Sequence, residues 1–521
     1  MSVVIRYSVR ILSFVLPESM MLQRQRHRFS SGSVASRGRL GILFLLLIAA
    51  SALLRKSVPA FLAVLAAADE GGPASAQVEP EKLFNSIFVV LAATCFVIKV
   101  STWQRDRSPA AGAGSVEVTS SPGMLSLRWK FLVVFWLFKF ADWLKGPYFY
   151  DVYASKEFDG EPASAELVAK FFLTGFLSSA LLSPLAGRIV DTHGRKLGSI
   201  LFAISYGLSA ISVHCSSKTM LFAGRGLSGI GTAFLFSAPE SWLVGEHERG
   251  GFLSSELSST FALAYLGDAI VAILAGLVAS AAASIAGPTA PFDCSVVCLI
   301  AGGLIAAGAW RENTAHRATG PSVGKGPTLL EAWREMRKDP RILIVGAVQA
   351  LFEGAMYIFV MQWPPTVAGV LPGVQVPYGK VFSCFMACCM VGSSLLSVLL
   401  KSMSAEKVMA MMLFMAALAM GAAALRTDSL TAVIGGFFVY EACVGIYFPC
   451  IGILRGKYLP DSHRGMMMSL FRIPLNLIVV TVLLCINQLG FGGSMLCSCI
   501  ALAVACGSLV AMMSCSPQLK A

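Results

Sequence analysis

Charged side chains are scarce in this sequence. Asp, Glu, Lys and Arg make up 13% of the 521 residues, against about 25% in a soluble domain, which excludes a water-soluble fold for most of the chain. Histidine is scarcer still. Cys294/Cys298, Cys384/Cys388/Cys389 and Cys497/Cys499 fall in apolar stretches without histidine partners, so they read as soft packing residues rather than a metal or disulfide framework. No nucleophile–base pair stands out, so neither an enzyme nor a cofactor is expected. The ten-residue alternation of a barrel strand is missing too.

What the sequence has instead is one apolar run after another, with 56% hydrophobic residues. Inside lipid every backbone polar group must be satisfied within its own segment, which selects helices. The expected class is all-α, a polytopic membrane protein. The net charge of +12 does not point to nucleic acid, because the basic residues lie in the short segments between apolar runs, as the positive-inside rule describes.

A spanning helix needs about 20 apolar residues. Twelve such spans are expected at 127–150, 165–186, 197–214, 218–241, 256–283, 290–310, 341–366, 376–402, 405–425, 429–454, 464–488 and 493–513. The polar break 311–340, RENTAHRATGPSVGKGPTLLEAWREMRKDP, divides them into six plus six. The expected organisation is an extension (1–126), a six-helix half (127–310), a linker (311–340) and a second half (341–521). Within the linker, Leu329 to Lys338 reads as a short helix on the membrane surface. Two halves of this kind are a transporter architecture, with the substrate near the midplane between them. Arg188, Arg195, Lys196, Arg311 and Arg455 count among the inner-loop cations, whereas Lys156, Lys218 and Arg426 lie outside. Both core termini therefore face the cytoplasm. The plasma membrane is the expected location, an organelle membrane being the alternative. The extension carries apolar residues over 41–66, either a cleaved signal or an anchor, and a further span at 83–100.

GRIVDTHGRK, residues 187–196, lies between the second and third spans. Gly187, Asp191, Gly194, Arg195 and Lys196 match the G-x-x-x-D-x-x-G-R-[KR] signature of the major facilitator superfamily. Its glycines permit a tight turn, and Asp191 is placed to face a neighbouring helix N-terminus and an arginine, latching one conformation. In RGLSGIGTA (225–233), Arg225, Gly229, Gly231 and Ala233 resemble a second pattern of the same superfamily, with Ser228 where glutamine is usual. A G-x-G-x-x-G overlaps it, but no strand precedes, so these glycines read as a helix-packing face. The fifth span lacks the glycine-proline pair that antiporters of the superfamily often carry.

Ionisable residues inside spans mark partners or pathways. Asp142 lies 12 residues beyond Lys130, about 18 Å deep. Glu353 lies 12 residues beyond Arg341, so the two acids are matched across the six-plus-six repeat. Arg225 and Glu441 form a looser matched pair. Arg472 and Asn476 share a helix face, as do Gln349 and Glu353. The plain alternative for Asp142 is an ion pair with Arg225. Lys139 either snorkels or pairs with Asp142, Lys145 points to the central cavity, and Gly146-Pro147 offers a bend. Glu240 and Asp268 read as structural. Trp143, Tyr447 and Phe448 line a cavity or pack.

Together, ADWLKGPYFYDVY (141–153), GRGLSGIGTAFLFSAPESWLVGEH (224–247), VQALFEGAMYIFV (348–360), ACVGIYFPCIGILRGKYLP (442–460) and FRIPLNL (471–477) resemble the molybdate-anion transporter family, the major facilitator branch of eukaryotic molybdate carriers. The resemblance covers most of 127–510 and implies uptake of molybdate, a small tetrahedral dianion; the expected state is a monomer in the lipid bilayer. It implies Arg225, Arg472 and Lys145 as its charge partners, with Asn476 and Gln349 beside them. Asp142, Glu353 and Glu441 are then gate pairs or proton carriers. The competing readings are a major facilitator carrier for sulfate, a sugar or an organic anion, and a transporter-like scaffold that moves nothing.

Overall fold

The computed structural model describes residues 79–106, 121–314, 329–460 and 464–515. The apolar residues 41–66, with their signal-or-anchor alternative, lie outside the described residues. So does the linker segment 315–328. Helix α1 (Pro80–Asp106) comes first. A first group follows: α2 (Pro122–Lys145), a 3-10 turn (Gly146–Tyr148), α3 (Phe149–Ala154), α4 (Ala165–His193), α5 (Arg195–Ser212), α6 (Lys218–Leu235), α7 (Ala238–Arg249), α8 (Ser254–Ala286) and α9 (Ala290–Ala309). The short α10 (Leu329–Lys338) leads into a second group: α11 (Pro340–Val370), α12 (Tyr378–Leu399), α13 (Ala405–Leu425), α14 (Leu430–Tyr458), α15 (Arg464–Leu484) and α16 (Ile486–Cys515).

Among the described residues, ten helices are long and apolar enough to cross a membrane. The helices α2, α5 and α6 are not among them. Lys139, Asp142 and Lys145 interrupt the first, Arg195 and Lys196 open the second, and Lys218 and Arg225 lie in the third. They occupy expected spans all the same, α2 packed on α8 and α9, and α5 on α6 and α9. The protein is an all-α, multi-pass integral membrane protein.

Several boundaries differ from the sequence expectation, each for a local reason. The first span begins at Pro122 under a Ser121 cap and ends at Gly146-Pro147, where the helix tightens into the 3-10 turn. The fourth span is two helices, because Pro239 lacks the N–H that would continue α6 and instead opens α7. The 187–196 signature is mostly not a loop: α4 continues through Asp191 to His193, and only Gly194, at φ 131°, makes the turn. Arg455, counted above as an inner-loop residue, lies in the last turn of α14.

The outer end of the first group and the second group share one apolar core. Leu144, Tyr148, Tyr153 and Phe171 belong to the same buried cluster as Phe352, Trp363 and Phe385. Toward the inner side the first group has its own cluster, with Phe131, Phe138, Phe202 and Trp242. The groups thus share an apolar core at their outer ends, whereas the inner cluster is made by the first group alone. Asn487 at the start of α16 donates to Glu166 at the start of α4, 3.1 Å away, across the outer seam. The helices α8 and α12 cross where Gly276 meets the Gly379 carbonyl and Gly379 meets the Gly276 carbonyl. Outside both groups, α1 lies along α12, with Phe84 and Ile87 buried, the Cys384 thiol on the Phe84 carbonyl and the Cys95 thiol on the Ala387 carbonyl.

Gly276→Val drives a side chain into the α12 backbone and is expected to cost about 1–3 kcal/mol, seen as a lower melting midpoint in detergent. Gly308→Ala, whose new methyl meets open space, is expected not to lower it.

Candidate functional site

The helix α2 presents two polar faces. Lys139 and Trp143, four residues apart, turn toward α8, where Asp268 takes both: the Lys139 ammonium at 3.3 Å and the Trp143 indole N–H at 2.8 Å. Asp268 is structural as expected, and Lys139 pairs with it rather than with Asp142. Asp142 and Lys145, three residues apart, turn the other way into a cavity of ≈ 240 Å³ lined from both groups of helices.

In that cavity Asp142 accepts a hydrogen bond from the Tyr206 hydroxyl of α5. Lys145 is only 7% exposed, and its ammonium lies over the Tyr206 ring, 2.9 Å from the centroid. Arg225 on α6 donates from Nε to the Phe171 carbonyl and from Nη1 to Ser228 Oγ, each at 3.2 Å. Its guanidinium covers the Phe149 ring at 4.6 Å. Gly175 gives it room, since a Cβ there would strike the guanidinium. A guanidinium has five N–H donors, so donors remain for a ligand. Asp142 and Arg225 line the same cavity without forming an ion pair, and the Tyr206 hydroxyl rather than the guanidinium donates to the carboxylate. Ser209 and Thr232 add hydroxyls to the wall. A second cavity of ≈ 170 Å³ lies beyond, and Tyr150 and Met361 line both, so one layer of side chains divides them.

Other expected residues sit elsewhere. Gln349 and Glu353 share a face of α11, but both are held by Arg455 of α14, from Nε to Gln349 Oε1 at 3.1 Å and from Nη2 to Glu353 Oε1 at 3.3 Å. Tyr447 donates to the same Glu353 oxygen at 3.0 Å. The matched acids Asp142 and Glu353 therefore each accept from a tyrosine, but only Asp142 reaches the central cavity. Glu441 is buried on α14 beside Cys388 and Cys389 of α12, with no ion-pair or hydrogen-bond partner among the described residues. Arg472 is exposed and Asn476 part-buried on α15; neither lines the cavity, though the charge of Arg472 acts on Tyr357, which does.

At the inner surface, Asp191 is exposed and unpaired among the described residues. The start of α5 is held from the linker side instead: Glu312 accepts from the Lys196 and Leu197 amides at 2.8 and 3.0 Å, and Arg195 N donates to the Asn313 carbonyl at 2.9 Å. An anion at a helix N-terminus is stabilised by the exposed amides and the helix dipole. Tyr206, Arg455 and Glu312 are the residues that sequence reasoning missed. Only Tyr206 left a signal, in the Ser205-Tyr206…Ser209 polar stripe of an otherwise apolar span.

Residues 83–447 match a major facilitator family model described as sugar transporters with twelve transmembrane segments. The chain belongs to this family. It is similar to a molybdate-anion transporter of Takifugu rubripes, 29% identical over 77% of this chain and 87% of the relative. One from Xenopus tropicalis is also 29% identical, over the same shares. Among solved structures it resembles an auto-inhibited peptide transporter of the POT family (TM-score 0.59, 12% identity, 74% of this chain and 95% of that one). It also resembles a D-xylose–proton symporter (TM-score 0.57, 14% identity, 76% and 98%). These two likenesses establish the major facilitator fold alone.

Arg455→Met leaves Gln349 and Glu353 without their cation. It is expected to cost about 1.5–3 kcal/mol, the range for hydrogen bonds to charged groups, read as a lower melting midpoint. Adding Glu353→Gln is expected to recover part of the loss, because no unpaired charge then stays buried. An unchanged midpoint for Arg455→Met would contradict the clamp.

Proposed function

We propose that the protein carries molybdate, or a closely related tetrahedral dianion, across its membrane by alternating access. The observation that carries this reading is the convergence of Lys145 and Arg225 on one cavity between the two groups of helices. A dianion entering a low-dielectric cavity needs cations and directed N–H donors, and the cavity offers both with hydroxyls around them. The relatives named molybdate-anion transporters support the substrate. A sugar is disfavoured, since a neutral solute leaves two cations to be balanced by Asp142 alone.

In this reading the two groups are the rocking halves, 127–310 and 341–521, joined by the 311–340 linker, and one copy of the chain suffices. The charge distribution puts the ends without a shared core in the cytoplasm, which supports an inward-facing conformation. Tyr150 and Met361 form the thin outer gate, and the Asn487–Glu166 bond the seam above it. Asp142 is the proton carrier: two cations balance a dianion only when Asp142 is neutral. Glu353 serves the second half as a lock with Gln349 and Arg455, and Glu441 as a second candidate proton site. Arg472 and Asn476 receive the anion on its way to the cytoplasm. The outward-facing state brings Asp191, Arg195 and Lys196 to the second half as the latch, with Gly187 and Gly194 shaping the turn.

The test is molybdate accumulation in cells lacking their own carrier, with and without excess sulfate. Accumulation that excess sulfate leaves unchanged is expected. No accumulation despite surface expression would sink the proposal, and equal competition by sulfate would widen the substrate class. Arg225→Ala and Lys145→Gln are each expected to raise KM about 10- to 100-fold, the loss of one charge-assisted contact. Arg472→Lys, at an exposed position, is expected to change it by less than about threefold. Asp142→Asn is expected to flatten the dependence of uptake on outside pH. A retained acid stimulation would remove Asp142 from the proton's path.

A further inference from the structure

The transport cavity does not account for the outward face of α10. Ala332 and Met336 of this helix are buried, and it packs on α15 and α11. At about 100° per residue, Leu330, Trp333, Arg334 and Arg337 fall on a single arc, and all four are exposed. For Leu330 and Trp333 the exposure is 56% and 44%, unusual for such side chains on a ten-residue helix unless something covers them. Glu331 and Glu335 fall on a different arc. Lys338 is neutralised by Glu335 at 2.6 Å, and Arg341 by Asp339 at 2.7 Å. Arg334 and Arg337 have no ion-pair partner among the described residues.

We propose that this face docks on anionic phospholipid of the cytoplasmic leaflet. A segregated apolar-and-basic arc, set apart from the acids, is the pattern of a helix lying in the headgroup plane. Its position supports the same occupant: α10 runs through Asp339 directly into α11, so its axis lies at the level where the second group enters the bilayer. Leu330 and Trp333 then enter the headgroup–acyl boundary, and Arg334 and Arg337 bind the headgroup anions. Docked in this way, α10 ties the inner ends of α11 and α15 to the leaflet while the first group moves. Docking of α10 on the leaflet is independent of the solute carried.

The full-length protein in nanodiscs, given photoactivatable phosphatidylserine or photoactivatable phosphatidylcholine at equal mole fraction, tests it by mass-spectrometric mapping of the labelled residues. Preferential labelling of 330–337 by phosphatidylserine is expected. Arg334→Gln and Arg337→Gln are each expected to reduce it about fivefold, with melting midpoints unchanged because neither arginine has an ion-pair partner among the described residues. Equal labelling by the two lipids, absence of label from 330–337, or a double variant that labels like the wild type would overturn the proposal. The lipid comparison on the wild-type protein stands by itself should the variants fold poorly.

Discussion

A charge held inside a bilayer must be compensated locally, because no water is there to do it, and the helix α2 solves that problem twice. On one face Lys139 meets Asp268, with the Trp143 indole on the same carboxylate. Every charge there is answered within the protein, and the result is a joint between α2 and α8. On the other face Asp142 is held by a neutral hydroxyl, Lys145 lies over a ring, and Arg225 spends its bonds on a carbonyl and a serine. Two cations facing one carboxylate leave a surplus of positive charge around a cavity. That surplus is what distinguishes this face from the structural ion pair on the other.

The second group answers its own charges more completely. Arg455 reaches Gln349 and Glu353 together, and Tyr447 completes the acid's shell. The two groups therefore hold the matched acids in unlike surroundings, one open to the cavity and one bound within its own helices. This asymmetry suits a carrier in which a single central site is exposed to each side in turn, since only one half need supply the ligand's counter-charges.

The state captured follows from where the apolar core is continuous. Outer residues such as Tyr148 and Phe171 share a core with Phe352 and Phe385, whereas the inner cluster around Phe202 and Trp242 stands apart. Glycine-to-carbonyl contact at Gly276 and Gly379 brings the backbones of α8 and α12 together. At the inner surface Asp191 is exposed, and Glu312 caps α5 from within the same group.

The all-α membrane class, most of the spans and the suspect charges were legible in the amino-acid sequence, because apolar length and the cost of buried charge are properties of single segments. Helix ends were legible where a proline or glycine forced them, as at Gly146-Pro147, and were missed where α4 ran on through a signature read as a loop. Partners were not legible. Lys139 stands three residues from Asp142 and four from Trp143, and sequence spacing permits either contact; the position of Asp268 on α8 chooses. Arg455 reads as one more inner-loop cation until α14 carries it to Glu353, 102 residues away in the chain. The sequence by itself determined which residues needed a partner, since that depends on burial in a span. Only the tertiary structure decided which partner each received, because the packing of helices distant in sequence sets which faces meet.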